Sequence, residues 1–218
     1  LFPTVNQEYI LYGIIVAAYP FSQFFSAPIL GQLSDKYGRK KLLFYCLAVT
    51  SISYFMAVLG IRQLNFSLLL ISRILGGMMG GNIAIAQAVA ADITDKKDRT
   101  RIYGLLGAAF GIGFILGPFI GGKLSDSNLV SWFRIDTPFL MAGFLSLISV
   151  FVTWFLLPET HPYEKRPLHL RFWQSVIDIR EAIAHKRLNT LFFIGFLFQF
   201  AFTMFVSFFG VLLFKRYD

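Results

Sequence analysis

The sequence predicts an all-α, polytopic membrane helix bundle, and three observations lead there. The chain of 218 residues is 56% hydrophobic and only 15% charged, whereas soluble domains usually carry about 25% charged residues. A soluble fold with so few charges would be left with large apolar surface patches. The charges also fall in short clusters between long apolar runs. Finally, those runs lack the alternation of barrel strands, which leaves helices as the spanning form that satisfies every backbone group in hydrocarbon.

A spanning helix needs roughly 20 largely apolar residues to cross about 30 Å of hydrocarbon. Six segments meet that length. Residues 9–34 and 42–61 are free of charge, and residues 63–91 contain a single charge, Arg73. Residues 102–122, 137–158 and 188–214 are again free of charge. The longest connection lies between the fifth and sixth spans, at about residues 161–187, and Pro158, Pro162 and Pro167 break helix at its start. Beyond them Phe172, Trp173, Val176, Ile177, Ile183 and Ala184 recur at helical spacing, with Arg171, Arg180 and Lys186 among them. This predicts an amphipathic helix, either lying on the membrane face or packed on the protein as a linker.

The net charge of +8 reports topology. Lys36, Arg39, Lys40, Lys41, Lys96, Lys97, Arg99, Arg101, Lys165, Arg166, Arg171, Arg180, Lys186 and Arg187 occupy one set of alternate connections. The other set holds only Arg62, Lys123, Arg134, Lys215 and Arg216. The richer side is expected to be cytoplasmic, in contact with anionic lipid, and no nucleic-acid partner is expected. The first span then runs from outside to inside. Residues 1–7 have neither a Met start nor a basic stretch, so no cleavable signal is expected and the chain reads as beginning in mid-protein. Cys46 is the single cysteine and lies in an apolar span, which excludes a disulfide framework and a cysteine metal site. His161, His169 and His185 fall in the long connection. No nucleophile–base pair, metal cluster or phosphate-cradling loop stands out, so neither an enzyme, a metal nor a cofactor is expected.

Residues 28–35 and 118–126 both contain Pro-x-x-Gly and Gly-x-Leu-Ser-Asp, the second with one extra residue between the two parts. Three spans separate them, so they leave the membrane on opposite sides. That is the arrangement of an inverted repeat in secondary transporters; chance is the alternative for so short a match.

The most specific stretch reads Gly31-Gln-Leu33-Ser-Asp35-Lys36-Tyr-Gly38-Arg39-Lys40-Lys41. Gly31 suits close helix approach and Gly38 a positive-φ turn. Asp35 needs a partner in a basic loop, either a helix N-terminus or Arg39. A plain basic anchor would explain the cations but neither the glycines nor the acid. The stretch resembles the signature loop between the second and third helices of the major facilitator superfamily, Gly-x-x-x-Asp-(Arg/Lys)-x-Gly-Arg-(Arg/Lys)-(Arg/Lys). The resemblance implies the major facilitator fold, incomplete here: six spans of an expected twelve, corresponding to helices two to seven. Residues 1–158 would then be most of the N-terminal bundle, 159–187 a cytoplasmic linker, and 188–218 the first helix of the C-terminal bundle.

Further motifs carry the resemblance. Arg73, followed by Gly76, Gly77, Gly80 and Gly81, is similar to the family's fourth-helix motif, which implies a part in proton coupling. A structural arginine bonded to carbonyls is the alternative, although an ionised group inside a span is costly and functional by default. Gly113, Gly117, Pro118, Gly121 and Gly122 are similar to the motif reported for the family's antiporters; with Gly107 and Gly111 they offer a face for close packing, and Pro118 favours a bend. Pro158-Glu159-Thr160 resembles the family's ending of the sixth helix. Asp92, which closes the third span, is implied to join Asp35 and Arg39 in a charge relay that latches one state. Helix ending alone is its other reading. Residues 91–122 most resemble tetracycline and multidrug efflux proteins, the drug:proton antiporter branch.

Asn82, Gln87, Gln199 and Phe110 are candidate substrate contacts, although uncharged polar groups in spans more commonly bond neighbouring helices. Resemblance therefore implies a multi-pass inner-membrane protein, a monomer, exporting a small amphipathic drug-like solute in exchange for protons. Its partners would be that solute, protons and the bilayer, its energy the proton gradient, and its proton-binding acid is expected on a helix outside this chain. The alternatives are proton-coupled uptake of a sugar or organic acid, and a non-transporting sensor or scaffold with the same fold.

Overall fold

The computed structural model describes residues 5–160, 174–184 and 186–217. Within them the chain forms α1 (Val5–Tyr37), α2 (Arg39–Arg62), α3 (Phe66–Met79), α4 (Asn82–Asp92), α5 (Arg99–Ser125), α6 (Thr137–Leu156), α7 (Gln174–Ala184) and α8 (Lys186–Tyr217). The described residues contain no strand. Six helical stretches are long and apolar enough to cross a membrane: Tyr9–Tyr37, Arg39–Arg62, Phe66–Asp92, Arg99–Ser125, Thr137–Leu156 and Asn189–Val206. These coincide with the six spans expected from the sequence.

The chain divides into two compact units, Leu1–Phe172 and Trp173–Asp218. The boundary between the two units falls within residues 159–187. Residues 159 and 160 belong with the first unit, and α7 belongs with α8 in the second, where the two helices pack on each other. Of the amphipathic pattern, Phe172 and Trp173 lie outside the described residues, as do His161, His169 and His185; Val176, Ile177 and Ile183 of α7 are exposed.

The first unit is built on small residues. Its buried positions include Ser26, Ser34, Ser51, Ser53, Ser72, Ala57, Ala90 and Thr153. In hydrocarbon, backbones that approach closely gain dispersion contacts that bulky side chains would prevent. At Gly77 a methyl group would collide with the Tyr19 carbonyl and lie 2.9 Å from the Tyr19 Cα, and at Gly81 it would lie 2.8 Å from the Ala27 Cα. Gly60 similarly admits Leu69, with only 2.9 Å from an added Cβ to the Leu69 nitrogen. Gly31, by contrast, has nothing within 4 Å of an added Cβ. The close approach onto α1 is made by the glycines of the third span, on another face.

The third span is not one helix. It breaks at Gly80–Gly81, where Gly80 N–H donates to Gly77 O and Ala84 N–H to Gly81 O, both tightened to three-residue bonds. The carbonyl of Gly80 is taken by the Gln23 side-chain amide of α1 at 2.9 Å, so the break is not left unsatisfied in the bundle.

The pair α2 and α6 packs along its length. Ser51 donates to Gly143 O (2.9 Å), Ser146 donates to Leu47 O (3.1 Å), and Phe55 meets Phe144 edge to face. At the end where α2 finishes, Arg62 Nε donates to Asp136 Oδ2 at 2.7 Å, and Arg134 Nε stands 3.5 Å from its other oxygen. Asp136 is only 2% exposed, so these two guanidinium groups supply the charge that keeps a buried carboxylate tolerable.

Gly77→Ala should force α1 off the third span. Overpacking of this kind costs about 1–3 kcal/mol, and a lower thermal unfolding midpoint of the purified protein in detergent would register it. An unchanged midpoint would contradict the close approach.

Candidate functional site

The charged end of the first unit is assembled from three helix ends. Tyr37 closes α1, Gly38 alone connects, and Arg39 opens α2. Gly38 has φ 95° and ψ 139°, a conformation that side chains with a Cβ rarely adopt, so the one-residue turn needs glycine. Backbone bonds run through it, from Gly38 N–H to Ser34 O at 3.1 Å and from Leu42 N–H to Gly38 O at 3.2 Å. The turn puts Arg39 four residues from Asp35 and points it at the end of α4.

There the expected residues meet. Arg39 Nη2 donates to Asp35 Oδ1 at 3.4 Å. Its Nε stands 3.0 Å from Asp92 Oδ2, a charge contact without the alignment of a hydrogen bond. The Arg39 side chain is 12% exposed, Asp92 is 25% exposed and Asp35 59%. The Asp35 contact is therefore close to the surface regime, worth about 0–1 kcal/mol, and the shielded Arg39–Asp92 contact is the stronger of the two. Asp35 has found Arg39 rather than a helix N-terminus.

Glu159 and Thr160, which extend from α6, complete the cluster. Glu159 Oε1 accepts from the backbone N–H of Arg39 at 2.8 Å and of Lys40 at 3.4 Å. Thr160 Oγ1 donates to Asp92 Oδ2 at 3.2 Å. The sequence marks Pro158-Glu159-Thr160 as the end of a span and carries no sign of these partners.

Arg73 lies in α3, half-buried between two rings. Its guanidinium carbon is 5.6 Å from the Tyr54 ring centroid and 5.1 Å from that of Phe139, and Nε reaches Ser72 Oγ at 3.5 Å. Among the described residues no carboxylate forms an ion pair with it. The cation is held by ring faces from α2 and α6.

Asn82, Gln87 and Phe110 line one groove of about 240 Å³ between α2, α4 and α5, with Leu43, Leu47 and Leu106. Its wall is almost wholly apolar, although Asn82 and Gln87 border it. Gln199 belongs to the second unit, where its amide donates to Thr203 Oγ1 at 3.3 Å. On α5, an added Cβ at Gly113, Gly117, Gly121 or Gly122 would meet nothing within 4 Å among the described residues. This face is open, and α5 continues through Pro118 as one helix. The two repeated segments share a back-bond: Ser34 Oγ donates to Gly31 O at 2.7 Å and Ser125 Oγ to Gly121 O at 2.9 Å. Among the described residues no group of three or more His, Cys, Asp or Glu is arranged to hold a metal.

Six apolar spans, with glycine and serine at the helix contacts of the first unit and all ionised residues but Arg73 gathered near helix ends, define a multi-pass α-helical membrane protein. The family model of the Major Facilitator Superfamily matches residues 1–218, and the chain belongs to that family. It is 38% identical over 171 residues to the class C tetracycline resistance protein of Escherichia coli, covering 78% of this chain and 41% of that protein. To multidrug resistance protein 2 of Bacillus subtilis it is 33% identical over 192 residues, covering 86% of this chain and 44% of that one. The crystal structure of the human organic anion transporter MFSD10 (TETRAN) superposes with a TM-score of 0.63 at 30% identity, covering 75% of this chain and 36% of that chain. The chain thus spans about 40% of the length of the curated relatives it matches.

The ring pair around Arg73 should contribute measurably to stability. Phe139→Leu keeps an apolar side chain but removes a ring face worth about 1 kcal/mol. A lowered thermal midpoint in detergent is expected, larger for Phe139→Leu than for Phe139→Leu made in an Arg73→Leu background.

Proposed function

We propose that the chain is part of a secondary transporter that exports a small amphipathic, drug-like solute in exchange for protons, by alternating access. The single observation that carries this reading is Arg39, seated between Asp35 and Asp92 where the ends of α1, α2 and α4 meet. Ion pairs of modest strength at helix ends suit a contact that must form in one state and break in the other. A gap of a few kcal/mol keeps both states within reach. The names of the tetracycline and multidrug resistance relatives support a drug-like substrate. In this reading the basic end faces the cytoplasm, the protein is a monomer in the inner membrane, and transport involves no enzymatic step and no cofactor besides the proton gradient. Arg73 lies close to the proton path, and the groove at Asn82, Gln87 and Phe110 contributes to solute contact.

A second reading takes an organic anion as the substrate. It is favoured by the sign of the charge inside a described span, which at Arg73 is positive, and by the organic anion transporter whose structure is similar.

The test uses the full-length transporter in proteoliposomes with an imposed pH gradient and radiolabelled tetracycline as probe. Vesicles acidic inside should accumulate the drug and release it when nigericin collapses the gradient. Uptake together with protons would indicate symport instead, and no gradient-dependent flux across a panel of drugs, sugars and organic anions would leave a sensor or scaffold. Asp35→Asn is expected to slow turnover by up to about fivefold, the upper scale of an exposed ion pair, while substrate binding is retained. Unchanged turnover would remove the latch.

A further inference from the structure

We propose that Glu159 is the positioning residue of the Arg39 latch, so that the end of α6 acts as a third arm joining the ends of α1 and α4. The inference rests on the latch reading above and adds a residue to it. Pro158 stops α6 and sends residues 157–160 out in non-helical backbone, three residues from the last helical turn. The Glu159 carboxylate then sits over the N-terminus of α2. The first N–H groups of a helix have no intrahelical acceptor and form its positive end. Glu159 Oε1 takes two of them, Arg39 at 2.8 Å and Lys40 at 3.4 Å.

The seat is fitted to the carboxylate. A methyl group at Gly38 would lie 2.5 Å from Glu159 Oε2 and 2.9 Å from its Cδ. Gly38 is required for its φ, and its missing Cβ also leaves Glu159 its place, although the tip of a flexible side chain shifts cheaply. The residue whose backbone Glu159 holds is the same one whose side chain reaches Asp92, and the adjacent Thr160 hydroxyl donates to that Asp92 oxygen at 3.2 Å. Both partners of the Arg39–Asp92 contact are thus gripped from the same two-residue segment. Fixing the backbone of Arg39 narrows the directions its guanidinium can take. Donation from Thr160 to Asp92 Oδ2 holds the carboxylate with that oxygen toward Arg39. When the latch opens, Arg39 and Asp92 must separate, and at least one of these grips is released with them.

A cap that only stabilised α2 would act independently of Asp92, and the experiment separates the two. Turnover and KM for tetracycline are measured in proteoliposomes under an imposed pH gradient for the full-length transporter, per inserted molecule. The proteins are Glu159→Ala, Glu159→Gln, Asp92→Asn and the double variant of Glu159→Ala with Asp92→Asn. Glu159→Ala should slow turnover about tenfold, the scale of losing hydrogen bonds to a charged group, with KM within about twofold. Glu159→Gln keeps an acceptor for the Arg39 N–H and should restore most of the rate. In the Asp92→Asn background Glu159→Ala should cost nothing further, because both act through Arg39. Equal losses in both backgrounds, or a native rate for Glu159→Ala when Asp92→Asn is impaired, would overturn this inference and leave the latch standing. A native rate for Asp92→Asn would remove the latch and this inference with it. Should Glu159→Ala fail to reach the membrane, Glu159→Asp withdraws the carboxylate from the Arg39 N–H on a shorter side chain and is expected to show the same loss, again absent in the Asp92→Asn background.

Discussion

Hydrocarbon gives helices no hydrophobic reason to associate, and the first unit depends on that constraint. Association has to come from close backbone approach and from polar groups that find one another. Gly77 and Gly81 against α1, Gly60 against α3, and the serines of α2 and α6 that donate to facing carbonyls supply both. Bulky apolar side chains are turned outward instead, as on α5, which buries no residue. In water such an exterior would aggregate; in lipid it is the ordinary outer surface.

Apart from Arg73, charge gathers at the rims, and it is used there to fasten. The antiparallel α2 and α6 are tied at one end by Arg62 and Asp136 and at the other by Glu159 on the first amides of α2. The two fastenings differ in burial. Asp136 is nearly inaccessible and Glu159 is exposed, so water can replace the partners of Glu159 far more cheaply than those of Asp136. The pair is thus anchored by a buried carboxylate at one rim and by an exposed one at the other, where Arg39 joins it to α1 and α4.

The spans were legible because length and apolarity are local properties, set by the thickness of the bilayer. The Asp35–Arg39 contact was legible for a similar reason: the two are four residues apart across a turn that Gly38 permits. Asp92 came from family resemblance, and the geometry brings it within 3.0 Å of Arg39. What could not be read was any partnership across the fold. Glu159 lies 120 residues from Arg39 and Asp136 lies 74 from Arg62, and neither carries a mark of its partner. The glycines of the third span could be seen, but not their tasks: Gly77 and Gly81 admit α1, while Gly80 and Gly81 also interrupt the helix. That choice depends on Tyr19 and Gln23, which sit on another span. Gly31 and the glycines of α5 show the converse, since small residues permit an approach without supplying the neighbour.

The interruption at Gly80–Gly81 makes α4 a short arm, set off from α3 by two residues whose backbone stays close to helical. Its 11 residues reach roughly 16 Å from the interruption to Asp92 at the tip. At that length a tilt of about 10° carries the tip by about 3 Å, as far as the whole Arg39–Asp92 separation. On that geometry a small angular change at the two glycines would suffice to make or break the contact at the rim, while Arg73 lies on α3, before the interruption.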